Sequence, residues 1–241
     1  MAAPYISIVI PAYNEEKRLF STLSQIERFI NTQPYTAEVL VVENGSQDNT
    51  LQVAKSFAAD HPGFSVLHET NRGKGGAVKR GMNSARGEFL FMCDADLSMP
   101  VSEINRFIPP LLPEMEIAIA SREASGAIRY DEPLYRHLGG RLINIIIRIF
   151  ALPGLHDTQC GFKCFRRDIG IDLFSKQTLT GWSFDIELLY IARRRGYKIV
   201  EVPIPWYFNP ESKLDIFQDA AKMILDLLII RRNARRGDYE N

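Results

Sequence analysis

Short β-rich apolar runs alternate with polar stretches of helical period through the first 95 residues, the pattern of repeated βαβ units and a mostly parallel sheet. Tyr5–Ile10 reads as the first strand, Glu15–Thr32 as a helix with Leu19, Leu23, Ile26 and Ile30 on one stripe, and Glu38–Val42 as the second strand. The alternation repeats with a helix over Asp48–Ala59 opened by the cap-type residues Ser46 and Asp48, a strand over Phe64–His68, a helix over Lys74–Ala85 entered through glycines, and a strand over Glu88–Cys93. Beyond Pro100 the regularity loosens into a short helix over Val101–Leu112, a strand over Ile117–Ser121 and a loop over Ala124–Pro133. No repeat, low-complexity linker or break in composition divides the chain, so the expectation is one α/β domain over 1–241.

With 241 residues and 46% hydrophobic content, the chain can bury a substantial core and is far too apolar for intrinsic disorder. Its 29 basic and 29 acidic side chains cancel, which removes any global attraction to nucleic acid. The acidic excess falls in residues 1–120 and the basic excess in 121–241, making the second half the one to meet an anionic surface or ligand. Three cysteines, Cys93, Cys160 and Cys164, and an N-terminus without a signal-peptide pattern predict a reduced, cytoplasmic setting. The longest apolar stretch, Leu142–Leu152, is interrupted by Asn144 and Arg148 and falls short of the roughly 18–20 residues of a spanning helix.

The chemistry concentrates where strands end. Phe89–Cys93 runs an apolar strand into Asp94-Ala95-Asp96, two carboxylates spaced by two, which share a side if the strand persists. Hard oxygen ligands at the C-terminal end of an α/β strand suit Mg²⁺ or Mn²⁺ and a diphosphate, although an acidic turn would account for the pair taken singly. Pro11-Ala12-Tyr13-Asn14-Glu15 follows the first strand and Glu43-Asn44-Gly45-Ser46 the second, so polar groups from three strand ends are expected to converge on one crevice. Asn71–Ala77 places three glycines, Arg72 and Lys74 before a helix, a layout that lets backbone N–H groups approach phosphate but lacks Walker spacing. His156, Cys160 and Cys164, each four apart, could suggest zinc, but no fourth ligand is evident and buried structural cysteines are the preferred reading.

Together with Ser121-Arg122, Asp157–Lys163, Trp182–Tyr190 and Ser212-Lys213-Leu214, these segments resemble family 2 glycosyltransferases from about Ile6 to Leu228. Within that family the chain is most similar to dolichyl-phosphate β-glucosyltransferases, then to polyprenyl-phosphate mannosyltransferases. The resemblance implies a GT-A fold: a Rossmann-like, mostly parallel twisted sheet flanked by helices, with a nucleotide-sugar-binding half over 1–120 and an acceptor-binding half over 121–241. It puts Pro11, Tyr13, Glu15, Val42 and Asn44 around the donor base and ribose and Asp94, Ala95 and Asp96 at the diphosphate, with Ala12, Glu43 and Lys74 as further donor-binding candidates. Asp96 is the principal metal ligand in this scheme, with Asp94 beside it. Arg122 and Lys213 fall near donor phosphate or sugar, Arg136 near the donor diphosphate or the acceptor phosphate, and Asp157 near the reacting sugar. Three positions depart from the family's pattern. Glu43-Asn44 stands where two Asp are common, Ser98 where the mannosyltransferases often carry Gln, and Tyr207 where they carry Arg, the last favouring the glucosyl branch.

The implied reaction is inverting transfer of a hexose, glucose by this resemblance, from a nucleoside-diphosphate sugar to polyprenyl or dolichyl phosphate. Because the second pKa of a monophosphate lies near 6, such an acceptor is largely dianionic at neutral pH and needs no strong general base. Two basic amphipathic segments, Arg136–Leu152 and Ile216–Arg236, could lie at an anionic bilayer, which predicts a peripheral protein on the cytoplasmic face and leaves room for a membrane-anchoring partner or a homo-oligomer. The alternatives are a family 2 enzyme using GDP-mannose or UDP-GlcNAc, one acting on a non-lipid glycan, and a non-catalytic nucleotide-sugar-binding subunit.

Overall fold

The computed structural model describes residues 3–70, 72–210 and 216–240, with the side chains of Arg136, Leu142 and 216–221 outside that description. Its elements run β1 (Ile6–Ala12), α1 (Leu19–Ile30), β2 (Ala37–Glu43), α2 (Thr50–Asp60), β3 (Phe64–His68), α3 (Lys74–Ser84), β4 (Phe89–Cys93), a 3₁₀ turn (Val101–Phe107), β5 (Ile117–Ser121), β6 (Ile128–Tyr130) and α4 (Leu134–Phe150). They continue with β7 (Phe162–Arg166), α5 (Arg167–Lys176), α6 (Phe184–Arg194), β8 (Ile199–Pro203), β9 (Pro205–Tyr207) and α7 (Ile216–Arg236).

Seven strands form the central sheet in the order β3-β2-β1-β4-β7-β5-β8. All pairings are parallel except those of β7, which runs antiparallel to both β4 and β5. β4 and β5 are buried at every position because helices cover both faces, which is why they read as continuous apolar runs. One core layer holds Leu19, Leu23 and Ile26 of α1 and Phe57 of α2 against the sheet. The other packs α3, α5, α6 and α7 on the opposite face through residues such as Met82, Leu173, Ile186 and Ile230.

This topology positions the site in two ways. After β1 the chain winds to one side through β2 and β3, then returns so that β4 lies on the other side of β1; a crevice opens at the strand C-termini where the direction reverses. Because β7 is antiparallel, its N-terminal entry lies at that same edge. The register pairs Cys93 with Phe162 and so sets Gly161 beside Asp94.

Three expected elements differ. The short helix expected over Val101–Leu112 is a 3₁₀ turn that ends at Phe107. The first helix starts at Leu19 rather than Glu15. The preceding backbone is instead bonded to the loop after β2: the N–H groups of Asn14, Glu15 and Glu16 donate to Ser46 Oγ (3.0 Å), Thr50 Oγ1 (2.7 Å) and Asp48 Oδ2 (3.2 Å). The expected loop over Ala124–Pro133 contains β6, which pairs in parallel with β9 to form a second, two-stranded sheet. Three residues whose partner lies more than seventy positions along leave no local period to read. Among the described residues no helix is long and apolar enough to cross a membrane.

Candidate active site

A cavity of about 660 Å³ occupies the crevice. Pro11, Tyr13, Glu15 and Asn44 line it from the ends of β1 and β2, Gly73 and Lys74 from the entry to α3, Asp94, Ala95 and Asp96 from the end of β4, and Arg122 from the end of β5. Gly140, Ile143 and Asn144 of α4 and Met223 of α7 wall the same cavity. The first- and second-half motifs therefore meet in one space.

Asp94 and Asp96 are differently placed. Asp94 Oδ1 lies 2.6 Å from Lys74 Nζ, and a Cβ on residue 161 would stand 1.8 Å from Asp94 Oδ2, so only glycine fits there. Withdrawal from water raises the Asp94 carboxyl above its ordinary range, against the opposing pull of Lys74. Burial works to lower the Lys74 ammonium, but Asp94, Asp185 and Asp96 outweigh it and raise it. Between the two carboxylates, the Ala95 carbonyl accepts a 2.6 Å hydrogen bond from Thr22 Oγ1, anchoring the turn to α1. Asp96 Oδ1 accepts the Ser98 N–H at 3.1 Å, and no cationic side chain pairs with Asp96 among the described residues.

Arg122 is held in place by Asp157. Its Nε lies 2.6 Å from Asp157 Oδ2 and its Nη2 2.9 Å from Oδ1, while its backbone N–H donates to the same carboxylate at 2.9 Å. Burial would raise Asp157, yet the Arg122 guanidinium overrides it and brings the carboxyl down to about 2. Further in, Lys163 Nζ is 3.0 Å from Asp185 Oδ1 and donates to the Cys160 carbonyl at 2.7 Å. Burial raises the Asp185 carboxyl despite Lys163.

Several expected roles need correction. Asp157 is fully buried behind Arg122 and off the cavity wall, so it orients that guanidinium rather than facing a sugar. Ala12 and Val42 are core residues of β1 and β2, closed off because both faces of those strands are covered. Glu43 also lies beneath the wall; its carboxylate accepts the Ser46 N–H and sits 2.6 Å from His68 Nδ1, shaping the turn that presents Asn44. The N–H groups of Gly75 and Gly76 do not face the cavity, since both donate to the Thr180 carbonyl at 2.9 and 3.3 Å. His156 turns toward Glu201 at 2.8 Å, away from Cys160 and Cys164, whose thiols burial pushes up, Cys160 to about 12. Arg136's side chain and Lys213 lie outside the described residues.

The cavity also includes residues the sequence did not single out as site residues. Asp185 and Trp182 lay within a recognisable segment, and Lys74 Nζ sits 5.1 Å from the Trp182 ring centre. Arg129 carried no signal, because only the β6–β9 pairing brings it beside Trp206, where its guanidinium is 5.8 Å from the ring centre and that of Arg122 5.4 Å. Asn44 is 3% exposed, and its Oδ1 has no hydrogen-bond partner among the described residues.

An open α/β sheet with carboxylates, a lysine and a glycine-bordered crevice at its switch point is the GT-A arrangement of nucleotide-sugar transferases. Solved structures of glucosyl-3-phosphoglycerate synthase from Mycobacterium tuberculosis share the fold: the complex with Mn²⁺, UDP and glucosyl-3-phosphoglycerate has a TM-score of 0.68 at 19% identity, covering 95% of this chain and 80% of that one. Residues 7–174 match the family described as Glycosyl transferase family 2. Dolichyl-phosphate beta-glucosyltransferases are similar along most of their length: one from Trichomonas vaginalis is 36% identical, covering 97% of this chain and 72% of the relative, and the human protein is 36% identical, covering 97% and 77%. The Saccharomyces cerevisiae enzyme is 30% identical, covering 98% and 77%. The chain belongs to the family 2 glycosyltransferases and is an enzyme of that class.

Proposed function

We propose that this enzyme transfers glucose from UDP-glucose to a dolichyl or polyprenyl phosphate, with inversion at the anomeric carbon. The observation that carries this reading is that one cavity is walled both by the donor-type strand ends and by the two amphipathic helices, α4 and α7. Outward from that wall, α4 exposes Leu134, Leu138, Ile145 and Ile149, and α7 exposes Ile224 and Leu228 beside the exposed Arg231, Arg232, Arg235 and Arg236. Such a surface lets a bilayer-held phosphate enter from the acceptor side while the soluble donor enters at Pro11, Tyr13 and Asn44.

The donor end offers Asn44 Oδ1 as an acceptor for the N3–H of uracil, the one donor on that edge of the base. Lys74 sits where the diphosphate would lie. The carboxylates fit a hard divalent cation: Asp94, Asp157 and Asp185 are paired with Lys74, Arg122 and Lys163, while Asp96, among the described residues, has no cationic partner. Among the described residues no third His, Cys, Asp or Glu joins them, so Asp96, with Asp94 beside it, would hold Mg²⁺ or Mn²⁺ and leave the rest of the shell to donor oxygens and water. When bound, the ion supplies charge stabilisation for the departing diphosphate. Arg122, fixed by Asp157, and Arg129 place the acceptor phosphate, whose own dianion is the nucleophile. None of the three cysteines competes as a nucleophile, since burial holds their thiols protonated.

The test is transfer of labelled glucose from UDP-glucose to polyprenyl phosphate, with GDP-mannose and UDP-GlcNAc as competing donors. Absence of a glucosyl lipid product under metal-replete conditions would overturn the assignment. Co-sedimentation with anionic vesicles examines the membrane part, with loss of binding expected for Ile149→Glu; a variant that sediments like the parent contradicts the interfacial role of α4.

A further inference from the structure

The segment Trp182–Tyr190 is prominent in the sequence, yet its second carboxylate, Glu187, lies outside the cavity lining. Glu187 is fully buried in α6. Its Oε2 accepts the backbone N–H groups of Thr178 (3.0 Å) and Leu179 (2.8 Å), and its Oε1 accepts Thr178 Oγ1 (2.5 Å) and Tyr239 OH (2.8 Å). Four donors converge on a carboxylate that, among the described residues, no cation neutralises. A buried charge held only by hydrogen bonds is stable in one geometry, so it fixes the groups that solvate it.

Those groups lead directly to the donor site. Thr180, next along, uses its carbonyl to accept both Gly75 and Gly76 N–H, and Gln177 Nε2 donates to the Gly75 carbonyl at 2.9 Å. Contact here is too close for side chains: a Cβ on Gly73 would lie 2.5 Å from the Thr180 carbonyl oxygen, and one on Gly75 2.7 Å from Phe184 Cβ. Lys74 stands between those glycines, and its ammonium reaches Asp94.

We propose that Glu187 is a positioning residue for the nucleotide-sugar donor: by solvating its carboxylate, the 177–180 loop is held where it seats the first turn of α3 and aims Lys74 at the diphosphate site. This rests on the donor site assigned above. The carboxylate does not touch the donor; its effect passes through Thr178, Leu179 and Thr180 to the glycines.

The experiment is calorimetric titration of the full chain with UDP in the presence of Mn²⁺, alongside steady-state kinetics. Glu187→Gln places an NH₂ group against one set of donors and should weaken UDP binding about tenfold, the loss expected when a buried donor is left unmatched. The KM for the sugar donor should rise with it, while kcat and the KM for polyprenyl phosphate change little. Leu173→Ala, a cavity in α5 within the same core layer, should lower thermal stability without moving UDP affinity. Wild-type UDP affinity in E187Q, or an equal loss in L173A, would overturn the proposal. Should E187Q not fold, Thr178→Val and Tyr239→Phe each remove one donor and leave the carboxylate; unchanged UDP affinity in both would be equally decisive against it. Hydrogen exchange at the Gly75 and Gly76 amides separates this inference from the donor assignment. Faster exchange in E187Q or T178V supports the clamp even if wild type binds no UDP, and unchanged exchange refutes it.

Discussion

Replacing Asp157 by Asn isolates the value of the buried Arg122 pair. Asp157 is completely enclosed, and it accepts three hydrogen bonds from Arg122, one from the main chain and two from the guanidinium, besides a 3.3 Å contact from the Gln159 N–H. Asparagine keeps the shape but turns one acceptor into a donor facing the guanidinium, leaving a buried cation without its counter-charge. Breaking such a pair costs about 3–5 kcal/mol, which in a domain of this size is a fall in Tm of roughly 10 °C. The pH dependence has a definite sign. Asp157 is depressed from 3.8 to about 2, so its charge contributes fully above the unfolded value and is lost as pH falls from 3.8 through about 2. Between pH 5 and 8 the stability gap between wild type and D157N should therefore be constant. Differential scanning calorimetry across that range measures it, and transfer activity should fall with it because Arg122 loses its aim. The double variant D157N with Arg122→Met should recover part of the lost stability, since the orphaned cation is gone. A D157N protein as stable as wild type, or a double variant less stable than D157N, would refute the account.

Asp96→Ala should reduce sugar transfer by at least about 100-fold while leaving the thermal midpoint within about 2 °C, since among the described residues Asp96 accepts only the Ser98 N–H and serves charge chemistry rather than packing; calorimetry and a radiolabel assay check both halves. Gly161→Ala drives a methyl group into Asp94 Oδ2, and the displaced carboxylate should release Lys74, seen as weaker UDP binding together with a loss of about 1–3 kcal/mol in stability. Asn44→Leu keeps the branched heavy-atom shape and removes the buried acceptor; the KM for UDP-glucose should rise about tenfold with kcat nearly unchanged, as measured in initial-rate kinetics. A thiol-specific dye should label none of Cys93, Cys160 and Cys164 in the native enzyme and all three in denaturant, because burial raises each thiol and blocks access.

Amino-acid order alone determined the βαβ framework and the crevice. Strands β1, β2 and β4 are apolar because helices cover both faces, and each ends at a polar turn, so their shared edge was legible from period and punctuation. The same local signals located Asp94, Asp96, Lys74 and Asn44. What the tertiary structure decided was the division of labour among these groups. Strand alternation makes Asp94 and Asp96 equivalent, but β4 stops at Cys93, and antiparallel β7 then brings Gly161 against one carboxylate while Lys74 arrives from α3. Asp157 looked like a group facing substrate and proved to lie behind Arg122, because the end of β5 and the entry to β7 meet at one edge. Arg129 and Trp206 meet only through the β6–β9 pairing, and the Glu187 clamp reaches the site only through Tyr239 and the Thr180 contact to Gly75 and Gly76, partners that no window of local sequence contains. Composition and period determine which surfaces are buried and where strands end; the partner of each charge is set by strand order and direction, and these exist only once the sheet has closed.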